Sequence, residues 1–125
     1  FENRNRCLSL YFASVPVNIN AIAASETDFL NLAVASTDYI IQGLVLKGVD
    51  PGADTITVRL YELVNNVLVN TATTTITTAN FATYFTLNSL FSRPTMASPN
   101  IKITVQASAG TYAITGQYYY SKTNN

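Results

Sequence analysis

The chain predicts an all-β fold: a single antiparallel β-sandwich, jelly-roll-like, of about eight short strands. Apolar residues recur at every second position, as in Ile56, Val58 and Leu60 and again in Ile101, Ile103 and Val105. That period sends successive side chains to opposite faces of a sheet. Clusters of turn-forming residues separate these runs, among them Ser36-Thr37-Asp38, Gly48 to Asp54 and Ser108-Ala109-Gly110. No segment supplies the crossover helices that a parallel sheet requires. At 125 residues the chain fits one domain with its own core, framed by a loose arm over Phe1–Arg6 and a polar tail over Lys122–Asn125.

In chain order, Leu8, Leu10 and Phe12 alternate with Ser9, Tyr11 and Ala13 in a strand over Cys7–Val17. Pro16 places the end of that strand at an edge or turn, since proline cannot donate to a ladder. Asn18–Ala24 reads either as a short strand or as a covering loop. Ser25–Asp28 reads as a turn, although Ser25 and Asp28 could also open a short helix. Strands are predicted over Phe29–Ala35 and Tyr39–Lys47, the second nearly all apolar and so central, with Gly43 at a bulge or close approach. Phe81–Leu90 reads as a strand, while Phe81, Tyr84, Phe85 and Asn88 also follow helical spacing. Phe91–Asn100, with two prolines, is an irregular connection. The last strands are Ile101–Ala107 and Thr111–Ser121, the latter placing Tyr112, Ile114, Tyr118 and Tyr120 on one face.

The best specified element is a hairpin. Asp54 to Leu60 alternates, Asn65-Asn66 interrupts, and a second extended run starts at Val67. Asparagine tolerates positive φ, so two in succession suit a two-residue primed turn. Val64 then faces Val67, Glu62 faces Val69, and Leu60 faces Thr71. One face should carry Ile56, Val58, Leu60, Val64, Val67 and Val69, with the methyls of Thr71, Thr73 and Thr75. Ile76 falls out of parity with Thr75, which requires a bulge or the end of the strand.

Charge narrows the function. Only 11% of residues are charged, with seven of each sign, against roughly a quarter in an ordinary soluble domain. The surface must therefore be covered by Thr, Ser, Asn, Gln and Tyr. Zero net charge leaves no footprint for nucleic acid or an anionic membrane, and it removes colloidal repulsion. No apolar run reaches membrane-spanning length. These properties predict a domain assembled with other proteins, on a virion surface or outside the cell.

Catalytic chemistry is sparse. The chain has no histidine and one cysteine, Cys7, which excludes Ser-His-Asp and Cys-His arrangements, imidazole metal sites and an intrachain disulfide. Cys7 reads as a buried strand residue, the alternative being an intermolecular bridge or a reactive thiol. No Gly-rich phosphate loop occurs, and no cofactor is expected. Paired loop carboxylates, Glu26 with Asp28 or Asp50 with Asp54, have the chemistry of a glycosidase or a calcium loop. They sit where acids usually terminate strands, and the Asp50–Asp54 loop is poor in further oxygen ligands. The expectation is no enzyme and no metal.

Candidate contact residues remain. Tyr118-Tyr119-Tyr120 offers large rings with polar tips: either they fill the core with hydroxyls at the surface, or they form an interface, with direct sugar binding a lesser alternative. Arg59 and Tyr61 share the outward face of the hairpin, where Arg59 is solvated or stacked on the ring. Asp50, Asp54 and Arg93 lie in loops suited to recognition.

The stretch YIIQGLVLKGVDPGADTITVRLYELVNNVLVNT, with a strand, a Pro-Gly loop and a hairpin in succession, resembles small β-sandwich domains of virus and bacteriophage particles. Those are capsid decoration proteins, head fibres and tail-fibre tips. The resemblance implies a structural protein of a particle surface and a homo-oligomer, with a trimer favoured. The alternative is an adhesin module binding a receptor or carbohydrate through its loops.

Overall fold

The computed structural model describes residues 10–31, 39–86 and 101–123. Cys7, the end of the strand predicted from Phe29, the Ser36–Asp38 turn and the 91–100 connection with Arg93 lie outside the described residues. Among the described residues the strands are β1 (Leu10–Ile22), β2 (Thr27–Asn31), β3 (Tyr39–Lys47), β4 (Ile56–Val64), β5 (Val67–Ile76), β6 (Phe85–Thr86), β7 (Ile101–Ala107) and β8 (Thr111–Thr123).

They form two four-stranded sheets, ordered β1-β8-β3-β6 and β2-β7-β4-β5. Every pairing is antiparallel. The pairs β4–β5, β3–β6, β2–β7 and β1–β8 nest around one turn, at Asn65-Asn66. A long hairpin wrapped into two sheets is the jelly-roll arrangement, so the predicted fold class holds. The turn is the primed type, with φ of 52° at Asn65 and 65° at Asn66.

Between the sheets lie Ala21, Ile41, Leu44, Leu46 and Ile114 from the first sheet. Leu30, Ile56, Val58, Leu60, Ile76, Ile101, Ile103 and Val105 come from the second. Burial of side chains this size stabilises by about 1.5–3 kcal/mol each, the dominant force holding two such layers together. A bulge between Ile41 and Gly43 switches β3 from Ile41 to Leu44 on the inner face, as Gly43 had suggested. Gly116 allows β8 to approach β3 closely: a Cβ there would lie 2.8 Å from Leu46 Cα and on the Val45 carbonyl oxygen.

Several boundaries differ from the sequence reading. Pro16 lies within β1, opposite Gln117, and the strand runs on to Ile22 through the Asn18–Ala24 segment left open between strand and loop. Because β1 is the edge of its sheet, a missing N–H is tolerated there. Strand β2 starts at Thr27, inside the predicted turn. The strand predicted from Phe81 is instead a turn: the amides of Asn80 and Phe81 both donate to the Thr77 carbonyl, at 3.1 and 2.9 Å. Strand β6, Phe85–Thr86, follows it, and the remainder of the predicted strand, residues 87–90, lies outside the described residues. Strand β8 continues through Lys122, placed in the tail by the sequence.

The hairpin register is right near its turn and shifts further on. Val64 faces Val67 and Glu62 faces Val69, but a bulge between Leu60 and Tyr61 sets Leu60 against Ala72 rather than Thr71. The inner face of β5 is then Ala72, Thr74 and Ile76, while Thr71, Thr73 and Thr75 point to solvent. The bulge that Ile76 demanded lies at Thr71, not beside Ile76.

Candidate interaction surface

Side chains that could act on a partner fall on the outer face of the second sheet, at the Asp50–Asp54 loop, along β8 and at the hairpin end. On the outer face, Arg59 and Tyr61 alternate outward on β4, and β7 places Lys102, Thr104 and Gln106 beside them. Glu26, just before β2, reaches over this face. Its Oε1 accepts from Arg59 Nη1 at 2.9 Å and from the Thr104 hydroxyl at 3.1 Å. The Tyr61 hydroxyl lies 2.6 and 2.7 Å from the two carboxylate oxygens and donates to them. Arg59 also reaches Gln106 Oε1 at 3.0 Å, and Gln106 Nε2 donates to the Ala23 carbonyl at 3.0 Å.

Burial raises the Glu26 pKa, yet the Tyr61, Thr104 and Arg59 hydrogen bonds and the Arg59 charge together hold it below its ordinary value. Burial first, then the bond to Glu26, pushes the Tyr61 hydroxyl up. A charged carboxylate so occupied anchors the β1–β2 connection across the sheet. It is poorly suited to proton donation near neutral pH. Arg59 is therefore an ion-paired residue and not a solvated one, and a cation above the Tyr61 ring is Lys102, at 5.4 Å. Lys102 also lies 3.9 Å from Asp28.

The two loop aspartates turn to separate local partners. Asp50 Oδ1 accepts from the Gly52 amide at 2.9 Å and from the Thr78 hydroxyl at 2.6 Å, which lowers its pKa. Asp54 Oδ2 accepts from the Tyr112 hydroxyl at 2.5 Å, and that bond raises the tyrosine pKa. Gly52, at φ 61°, opens the turn closed by the 3.0 Å bond from the Asp54 amide to the Pro51 carbonyl. Together these contacts tie the loop to β8 and to the β5–β6 connection. Among the described residues, no group of three or more His, Cys, Asp or Glu side chains could hold a metal.

The tyrosine triplet divides as the alternation predicts. Tyr118 and Tyr120 face inward against the core, their centroids 6.3 Å apart. Tyr119 faces outward and is 37% exposed. Its ring sits over Gly43, and its hydroxyl accepts from Gln117 Nε2 at 2.7 Å. Gln117 in turn accepts from the Ser14 hydroxyl at 3.2 Å. Around it lie the uncharged Ser14, Pro16 and Asn18 on β1 and Thr115 and Gln117 on β8, while Lys47 of β3 stands opposite Thr115.

The sequence reading missed the end of the hairpin. Val64, Val67 and Val69 share the inner face by parity, but they are 45%, 61% and 41% exposed. Leu63, on the opposite face, is 39% exposed. Here β4 and β5 run past the part of the core face that is covered. Alternation alone gives these valines the same face as Ile56, Val58 and Leu60 and does not show where the cover over that face ends. From Leu63 through Ser92 the chain carries no charged side chain.

No family model matches this chain, and no curated protein does. Among solved structures it is similar to the infectious bursal disease virus Gx strain structure, at TM-score 0.46 and 8% identity over 91% of this chain and 32% of that one. It is also similar to the VP2 subviral particle of the same virus, at TM-score 0.37 and 11% identity over 93% of this chain and 33% of that one. The chain thus spans about a third of the length of either structure. Likenesses at these scores assign no function, which has to rest on the chain's own residues.

Proposed function

We propose that this domain is a non-enzymatic structural protein that assembles on the surface of a virus or phage particle, as a decoration, spike or fibre domain. The observation that carries the reading is the apolar end of the β4–β5 hairpin, where Val64, Val67 and Val69 are exposed together. Its residues belong to the uncharged run from Leu63 to Ser92, and the neighbouring Glu62, opposite Val69, is engaged by the Thr71 hydroxyl. Low overall charge and zero net charge support the same reading. The jelly-roll order adds support by fold-level analogy, since capsid domains share it with lectins and cupins. Immunogold labelling of particles purified from the source of this chain tests it. Gold on the particle surface is expected, and particles free of label would overturn it.

A second reading, a receptor- or carbohydrate-binding adhesin, is favoured by one observation: Tyr119 is exposed yet packed beside Gly43 and bonded through its hydroxyl to Gln117. A ring fixed before binding loses little rotamer freedom on contact with a sugar. Titrating cellohexaose and maltohexaose while following Tyr119 amide shifts by NMR tests it. No shift at 10 mM, an upper limit of about 2.7 kcal/mol in affinity, would remove it.

A further inference from the structure

Among the described residues the outer edge of β5 is guarded along one half and uncovered along the other. Strand β5 ends its sheet, so the backbone groups turned away from β4 have no strand partner among the described residues. Past the bulge at Thr71 the edge is interrupted, and Asn80 Nδ2 occupies the outward Thr75 carbonyl at 3.1 Å. Bulges and capped carbonyls are how natural sheets block strand addition. Among the described residues the half from Val67 to Asn70 has neither device, and its Val67 and Val69 are exposed.

The turn fixes which groups point outward. In a two-residue hairpin the flanking residues, Val64 and Val67, form a hydrogen-bonded pair. By alternation Val69 also bonds toward β4, which leaves the N–H and C=O of Leu68 and Asn70 directed to the open side. An antiparallel strand centred on Val69 would therefore bond twice at Leu68 and twice at Asn70. Val69 would then sit in a non-hydrogen-bonded pair, where side chains approach most closely.

We propose that the occupant of this edge is a second copy of the same chain, paired β5 to β5 about a two-fold axis at Val69. Leu68 of one copy meets Asn70 of the other, Val67 meets Thr71, and Val69 meets Val69. The arrangement is self-complementary, as a two-fold contact must be. The β5 residues that meet, Val67 to Thr71, are uncharged, and the nearest charge, Glu62, lies on the far side of β5, opposite Val69 on β4, where it accepts from the Thr71 hydroxyl. Because both sheets then continue into one, the exposed valines of the two copies fall on the same face and cover each other. So short a pairing is weak in isolation, and many copies held on one particle would strengthen it. This inference rests on the assembly reading but names a contact that can fail without it.

Symmetric disulfides test it, because a non-hydrogen-bonded antiparallel pair brings two Cβ atoms within disulfide reach. In a Cys7→Ser background, Val69→Cys and Thr75→Cys are compared under oxidised glutathione, with far-UV circular dichroism confirming that both fold. The expected result is a covalent dimer forming at least tenfold faster at position 69, with the difference lost in 8 M urea. Equal rates at the two positions, or no dimer at position 69, would overturn the pairing. Surface-labelled particles combined with no cross-link at 69 would sink this contact and leave the assembly reading standing.

Discussion

Ile56 and Ile76 face each other across β4 and β5, both buried, because one extra residue at Thr71 turns β5 over halfway along its length. Without that bulge Ile76 would point to solvent and Thr75 into the core. Ile76→Ala should therefore cost about 3 kcal/mol, the usual cost of truncating a buried aliphatic side chain. Val67→Ala should change stability by less than about 0.5 kcal/mol. Urea unfolding of both variants checks the contrast, and equal effects would show that the register is wrong.

Gly116 and the Val45 carbonyl make the closest approach between β8 and β3. Gly116→Ala should destabilise by about 3 kcal/mol, since neither backbone can move without breaking the ladder. Gly52→Ala has open space around its Cβ and meets only the strain of its positive φ, so it should cost about 1–2 kcal/mol. Thermal unfolding of the pair distinguishes a steric from a conformational requirement.

Asn65 and Asn66 both sit at positive φ in the turn around which the strand pairs nest. Replacing either with valine should cost about 1–2 kcal/mol, because a β-branched side chain is strained there. Asn66→Gly should be tolerated. If refolding of Asn66→Val proves as fast as that of the parent, the turn is not part of the folding nucleus.

Glu26 carries a pKa lowered by the Tyr61, Thr104 and Arg59 contacts, which outweigh the opposing effect of burial. A carboxylate with a depressed folded-state pKa stabilises the fold above its ordinary value of 4.5. That contribution is lost as pH falls through the lower folded value. Stability should hold between pH 6 and 8 and decline below about pH 4.5. Glu26→Gln should lower stability at pH 7 by about 1 kcal/mol and flatten the acid limb. Asp50 shifts in the same direction and remains in the variant, so part of the limb should persist. An unchanged acid limb in Glu26→Gln would contradict the anchoring role.

Local features were legible in the chain. The Asn65-Asn66 turn is set by backbone preference, and the alternation in β4 and β7 is set by burial on one face only. The β5 bulge was harder to read because Thr71, Thr73, Thr74 and Thr75 suit either face. Only Ile76 broke the ambiguity, and it gave the fact of a bulge without its place. Pro16 marked an edge strand correctly and its end wrongly, since an edge tolerates proline anywhere its N–H faces outward. The Glu26 cluster was beyond reach: its carboxylate meets Tyr61 across 35 residues and Thr104 across 78. Such pairings follow from the sheet order, which no local pattern encodes. Parity set Tyr119 on the face opposite Tyr118 and Tyr120, while its place beside Gly43 depends on β3 lying beside β8.

The exposed apolar end of the β4–β5 hairpin should join one molecule to another. Sedimentation equilibrium of the parent chain and of Val69→Lys, run from 10 µM to 1 mM, measures this directly. The parent should gain apparent mass with concentration. Val69→Lys, which sets two ammonium groups opposite each other, should stay monomeric with its thermal stability unchanged. A parent chain that remains a monomer at 1 mM, or a variant that associates equally well, would contradict it.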